Sequence, residues 1–357
     1  MNILIDGHMI GSNEGGNERY TKNLFLSLAK NRKERIYLLV GKLGKKMPEK
    51  KIIFRKDADR NLFRLFYLLP WLIKVNKVDI LHSNYISPFF KNAQYVITLH
   101  DMSFKYFPEY FSFRERLIFR YLLPYSLWLS DAVIVPSEFT KKEFLKFYPK
   151  YSKKTSVVNY AAEGIFRKIP RKLAQASRNT LLESEKPFLL AINSKNPRKN
   201  INRIIQAYLL IQKKFPGLEL VIVGGNFNID RKYLDNQKIK VLKNVNDDEL
   251  NSLYNAASIF IYFSVYEGFG LPILEALKCK TLVICSDIEV HREIAKDFVT
   301  FANPYKAEDL AGKIELLLKN KAYAEKMRIN SSKINKLYSW SKTAKETFKV
   351  YTFLDKK

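Results

Sequence analysis

The sequence predicts an α/β protein of two doubly wound parallel-sheet units in tandem. Three observations predict it. Short apolar runs alternate with amphipathic stretches, which is the rhythm of βαβ units. The rhythm weakens once near the middle and then restarts. The chain has 357 residues, 47% of them hydrophobic, which suits two cores of about 150 to 200 residues better than one.

In the first part, residues 3–5, 36–40, 80–81, 95–99 and 132–135 read as buried strands, with helical patterns at 18–30 and 114–129. Residues 163–185 are charged, hold Pro170 and lack large apolar residues in their middle, so they read as a linker. The boundaries expected are 1–168 for the first unit, 169–186 for the linker and 187–338 for the second. Strands follow at 188–192, 218–223, 240–242, 259–263 and 281–284, and helices at 201–215, 247–257 and 272–278. Asp247 is the expected N-cap of the second helix, and Pro272 suits the first turn of the third. Ligand is expected at the carboxyl ends of the strands.

The net charge is +27. Residues 1–178 carry 33 Lys+Arg against 15 Asp+Glu, a surplus of 18; residues 179–357 carry 29 against 20, a surplus of 9. Such a surface attracts polyanions, phosphorylated ligands or anionic lipid, and can equally be solvated helix faces. Residues 42–74 hold ten Lys+Arg and three acids, interleaved with Phe54, Phe63, Phe66, Tyr67 and Trp71. That pattern fits a surface resting on anionic lipid, or an ordinary basic helix face. No nucleic-acid motif accompanies it, and no nucleic-acid partner is expected. The two cysteines, Cys279 and Cys285, read as buried thiols of a reducing compartment. No signal peptide and no apolar run of bilayer length is found, so a cytoplasmic protein is expected, at most peripheral on the inner face of the membrane.

The most informative string is Glu267-Gly268-Phe269-Gly270-Leu271-Pro272-Ile273-Leu274-Glu275. It follows a predicted strand and opens a predicted helix. Its glycines let backbone approach a ligand, and free N–H groups at the helix start attract an anion. Carboxylates flanking an anion site make sense if they accept hydrogen bonds from hydroxyls. A sugar nucleotide supplies both, a diphosphate between a ribose diol and a hexose. Arg198-Lys199 precedes another helix start, where cations oppose the dipole unless an anion lies between. Gly15-Gly16 opens the first helix, as a phosphate loop or a packing turn. His100-Asp101 ends a strand of the first unit. His82 ends another; His291 and Glu293 read as structural. No Asp-x-Asp pair and no His/Cys cluster points to a metal.

The Glu267–Glu275 string resembles the E-x7-E motif of retaining glycosyltransferases with the GT-B fold, family 4 in particular. Further resemblances run along the chain: Gly15-Gly16-Asn17-Glu18-Arg19-Tyr20 is similar to the family's glycine loop, and Leu99-His100-Asp101 with Phe107-Pro108-Glu109-Tyr110-Phe111 to its acceptor-domain signature. Pro197-Arg198-Lys199-Asn200 is similar to the basic element opening the second domain, and Tyr338-Ser339-Trp340 to the start of a helix, about 339–357, that crosses back to the first.

The resemblance implies two Rossmann-like domains facing a cleft. It implies that Glu275 holds the ribose, that Glu267 contacts the transferred sugar, and that Gly268, Phe269, Gly270 and Leu271 line the sugar and phosphate site. Lys199 and Arg198 would clamp the diphosphate with Gly15 and Gly16. His100 would face the donor sugar, with Asp101 orienting it or shaping the acceptor site. The expected reaction is metal-independent transfer from a UDP-, GDP- or ADP-sugar to a glycan or lipid-linked acceptor, in bacterial surface-polysaccharide assembly. A sugar-nucleotide epimerase, a glycan phosphorylase, or a basic nucleic-acid- or membrane-binding module with an inactive transferase fold remain open on sequence alone.

Overall fold

Runs of Ile, Leu, Val and Phe buried on both faces form the central strands, as parallel sheets require. The computed structural model describes residues 1–11, 15–30, 34–41, 51–331 and 333–356. Residues 42–50 of the basic segment lie outside them. Two compact units result, one of Met1–Ala161 with Ser339–Lys357, the other of Ala162–Tyr338.

The first unit holds β1 (Asn2–Asp6), β2 (Arg35–Val40), β3 (Ile52–Phe54), β4 (Ile80–Asn84), β5 (Gln94–Thr98), β6 (Ala132–Val135) and β7 (Thr155–Val157). They form one parallel sheet in the order β3-β2-β1-β4-β5-β6-β7. Ile3 of β1 sits opposite Ile36 of β2 on one side and Ile80 of β4 on the other. The strand order reverses between β1 and β4. The helix Gly16–Ala29 follows β1 and buries Tyr20, Leu24, Phe25 and Leu28. A core of Leu4, Leu39, Leu65, Leu69, Leu72, Tyr95 and Leu129 lies on one face of the sheet.

The second unit holds β8 (Phe188–Ile192), β9 (Glu219–Val223), β10 (Ile239–Leu242), β11 (Ile259–Tyr262), β12 (Val283–Ser286) and β13 (Thr300–Ala302). Their order is β10-β9-β8-β11-β12-β13, again all parallel, and it reverses between β8 and β11. The helices Ile201–Gln212 and Ala307–Lys319 pack on each other over this sheet.

Three expectations need correction. The stretch expected as a linker contains a helix, Arg171–Leu182, packed against the helix Asp247–Ala256. It buries only Ala174, Arg178 and Leu182, too narrow a stripe for the apolar pattern to announce. The Asp247–Ala256 helix is capped by Asn246, whose side chain accepts from Glu249 N while Glu249 reaches back to the Asn246 amide; Asp247 is the first residue inside. The expected helix 114–129 is Phe113–Leu117, a π turn Ile118–Leu122, then Leu123–Leu129. Pro124 follows the π turn and cannot donate to the preceding turn, so the ladder is displaced there.

The C-terminal helix Trp340–Asp355 belongs to the first unit and packs on Gly16–Ala29. Ser339 caps it. Thr343 Oγ1 donates to Asn159 O at 2.7 Å, Gln94 Nε2 donates to Leu354 O at 3.1 Å, and buried Tyr351 bonds His82. No helix among the described residues is long and apolar enough to cross a membrane.

Candidate active site

The loops that leave β8 and β11 emerge side by side, at the point where the second sheet's strand order reverses. Ligand crevices of open α/β sheets form at such points. The β8 loop carries Arg198-Lys199 and the β11 loop carries the Glu267 turn. Val265 N donates to Arg198 O at 2.9 Å, and Asn200 Nδ2 donates to Phe263 O at 3.2 Å, so the two loops are pinned together.

Lys199 Nζ lies 2.7 Å from Glu267 Oε1 and 2.5 Å from Tyr262 OH; Tyr262 OH in turn donates to Glu267 Oε1 at 3.0 Å. The ammonium also sits 4.6 Å from the Tyr262 ring centre. Glu267 is buried. Burial pushes its pKa up, but the charges of Lys199 and Arg198, with the hydrogen bond from Lys199, hold it down to about 2. Glu267 is therefore a carboxylate. The same burial, beside that carboxylate, pushes the Tyr262 phenol well above its ordinary value and keeps it protonated. Two cations and one anion leave this cluster one positive charge.

Two helix starts join it. Leu271–Lys278 begins at Gly270 (φ 103) and Ile201–Gln212 at Asn200 (φ 59), and neither has a side-chain cap on its first amides. Gly270 and Asn200 occupy the left-handed region, which glycine and asparagine enter most readily. Pro272 sits in the first turn as expected. Phe269 is buried against Tyr338, with ring centres 5.9 Å apart. Gly268 and Leu271 flank it in the same turn. Glu275 is buried one helical face away and accepts from Tyr254 OH at 3.1 Å.

Several residues of this site escaped the sequence reading. Tyr262 was one polar tip ending an apolar strand. His291 read as structural, yet its ring lies 5.6 Å from Tyr262 and a Cβ on Gly270 would meet it at 3.5 Å. Its Nδ1 faces Ser286 O at 3.1 Å, and its buried Nε2 has no hydrogen-bond partner among the described residues. Burial lowers its pKa to about 4, against the pull of Glu267. Gly224 and Gly225 follow β9 with φ of 109 and 93, and a Cβ on Gly224 would stand 2.2 Å from Asn193 O. The Gly-Gly pair after a strand was the visible signal. Lys195, on the same loop as Lys199, has its Nζ 5.6 Å from the Phe227 ring centre.

In the first unit, His100 is buried with both ring nitrogens engaged. Nε2 donates to Asn84 Oδ1 at 2.9 Å and Nδ1 accepts from Tyr160 OH at 2.7 Å. Burial lowers its pKa to about 4, with Asp101 pulling the other way. Asp101 Oδ1 accepts from Ser103 N at 3.0 Å and Ser103 Oγ at 2.7 Å, so its influence on His100 is through space. His82 bonds Tyr351 and Thr98, and burial with the nearby His100 lowers its pKa to about 3. Gly15 (φ 63) caps Gly16–Ala29, and a Cβ on Gly15 or Gly16 would meet nothing within 4 Å. Glu18 Oε1 accepts from Gly11 N at 2.8 Å, closing the preceding loop onto the helix. Among the described residues no group of three or more His, Cys, Asp or Glu could hold a metal ion.

Comparison with known proteins agrees with this architecture. Residues 174–334 match the family Glycosyl transferases group 1, and residues 14–160 match Glycosyltransferase Family 4. The chain is 28% identical over 300 residues to O-antigen chain mannosyltransferase B of Escherichia coli, covering 80% of this chain and 77% of that one. Sucrose-phosphate synthase from Thermosynechococcus elongatus superposes with a TM-score of 0.77 over 99% of both chains at 19% identity. HepE of Anabaena, solved with UDP-glucose, superposes with a TM-score of 0.76 over 100% of both at 17% identity. The two family matches occupy most of the sequence, one on each sheet, and the chain belongs to the family 4, group 1 glycosyltransferases with the GT-B fold.

Proposed function

We propose that this glycosyltransferase moves a sugar, with retention, from a nucleoside-diphosphate sugar to a glycan or lipid-linked acceptor in bacterial surface-polysaccharide assembly. The observation that carries the reading is the Arg198-Lys199-Glu267 cluster, positively charged overall and flanked by two uncapped helix starts. A diphosphate is the ligand that such a cluster fits. The ionised Glu267 is ready to accept from a sugar hydroxyl, and Glu275 from the ribose. The family resemblance supports retention, and the name of the Escherichia coli mannosyltransferase relative supports mannose as the sugar to test first. The UDP-glucose complex of HepE supports a sugar-nucleotide donor. UDP, GDP and ADP remain the donor nucleotides to compare.

In this reading the leaving diphosphate gathers charge as the glycosidic bond breaks. Lys199, Arg198 and the helix amides stabilise that charge electrostatically, without a metal. Gly15, Gly16, His100 and Asp101 of the first unit keep the roles that the family resemblance implies for them, as proposals for mutagenesis. Free thiols at buried Cys279 and Cys285 fit a reducing, cytoplasmic setting.

The test is a panel of UDP-, GDP- and ADP-sugars read first by thermal shift and then by transfer to a lipid-linked acceptor. One donor should raise the melting temperature and support transfer that survives a chelator. Lys199→Ala should lower turnover about 10²-fold or more. Because that change strips Glu267 of its partner, the melting temperature is measured alongside, and Lys199→Arg should keep part of the activity. Full turnover in Lys199→Ala, or no donor response across the panel, contradicts the reading.

A further inference from the structure

Two helical stretches of the first unit are apolar on their outer faces as well as their inner ones. In 61–75, Leu65, Leu68, Leu69 and Leu72 fill the core. The opposite side, which solvation makes polar in an ordinary surface helix, presents Leu62 (64% exposed), Tyr67 (68%), Trp71 (50%) and Val75 (57%). In 113–129 an outward stripe recurs every fourth residue at Phe113, Leu117, Tyr121 and Tyr125, and Trp128 extends it, 65% exposed.

The stretches form one surface. Phe66 stacks on Phe89 with ring centres 4.0 Å apart, Phe89 meets Tyr125 at 6.0 Å, and Tyr125 meets Trp128 at 5.8 Å. Cations border it: Arg55 lies 5.5 Å from the Trp71 ring centre, Arg116 6.0 Å from Phe113 and Arg120 5.6 Å from Tyr121. Of the acids on and just before these segments, Glu115 is held in the Ser112 capping box, Asp57 faces Arg55 and Asp59 is exposed two residues before the first stretch. Both stretches share a construction, a π turn followed two residues later by proline, at Arg64–Leu68 with Pro70 and at Ile118–Leu122 with Pro124.

We propose that this aromatic ridge seats the first unit on an anionic lipid bilayer, aromatic rings at the headgroup level and arginines on the lipid phosphates. An exposed apolar surface of this extent marks an interaction site. Its cationic border selects an anionic sheet over a second copy of this basic chain. The ridge differs from the segment 42–74 expected from sequence: it begins near Arg55 and includes the separate stretch 113–129. The proposal extends the lipid-linked-acceptor reading and rests on it for its role in the reaction.

The test uses the tryptophans. Of three in the chain, Trp71 and Trp128 stand on the ridge and Trp340 lies among the first unit's buried tyrosines. The intact protein is mixed with vesicles of phosphatidylglycerol and phosphatidylcholine, or of phosphatidylcholine alone, without donor or acceptor. Co-sedimentation with the mixed vesicles and a blue-shifted emission are expected, and Trp340→Phe should keep the shift. Trp71→Ser with Trp128→Ser should weaken binding about tenfold or more. Arg116→Glu with Arg120→Glu, which leaves the aromatic face whole, should weaken it about fivefold per cation. Absence of binding, equal binding to neutral vesicles, or a lipid-free dimer that buries the tryptophans would overturn the proposal. Donor binding needs no vesicle, so failure here and failure of the transferase reading are read separately.

Discussion

Glu267 is buried, and burial alone would favour its neutral acid; two cations reverse that. This resolves the oddity of acids beside the proposed anion site. Glu267 is compensated by Lys199 and Arg198, and Glu275 faces Tyr254. The histidines show the opposite case. His82, His100 and His291 are buried and hydrogen-bond to hydroxyl, amide or backbone groups instead of a carboxylate, and their pKa values fall to about 3, 4 and 4 from the ordinary 6.5. As pH falls below 6.5 the unfolded chain takes up protons that the folded chain refuses. Each histidine then removes stability at about 1 kcal/mol per pH unit. Above pH 6.5 both states leave them neutral and they contribute nothing. Urea unfolding at pH 7.5, 6 and 5 should show this loss, and His100→Asn should flatten the slope. A constant midpoint from pH 7.5 to 5 would contradict the buried neutral assignment.

At the scale of elements, the turn at Gly270 joins β11's loop to the Leu271–Lys278 helix at a φ of 103. A Cβ there would enter the left-handed penalty and stand 3.3 Å from Ile273 Cδ1. Gly270→Ala should therefore cost about 1–2 kcal/mol of stability. Gly312→Ala, inside a helix with nothing within 4 Å of the new Cβ, should gain up to about 1 kcal/mol. Denaturant midpoints separate the two, and equal effects would remove the strain argument. Elements with strong apolar runs, such as β8, β9 and β11, were legible in the sequence nearly to the residue. The three-residue edge strands β3, β7 and β13 were not, since an edge strand needs less apolar sequence to pair. The helix Arg171–Leu182 escaped for the same reason, its buried stripe being three residues. The motif residues Lys199 and Glu267 were legible because chemistry fixes their spacing to strand and helix. Tyr262 and His291 depend on tertiary packing from separate strands, which no local pattern announces.

At the scale of the whole molecule, each unit repeats one device, a parallel sheet whose strand order reverses at a central pair. The C-terminal helix returns to the first unit and is held there through Tyr351 and His82. The nucleoside diphosphate is expected to bind at the second unit's reversal point. Hydrogen–deuterium exchange of the intact protein, with and without the diphosphate selected by the donor panel, tests it most directly. Slowed exchange should appear in the loops after β8 and β11, residues 193–203 and 263–275, including the first amides of both helices. Unchanged exchange in both loops at saturating nucleotide would contradict the account.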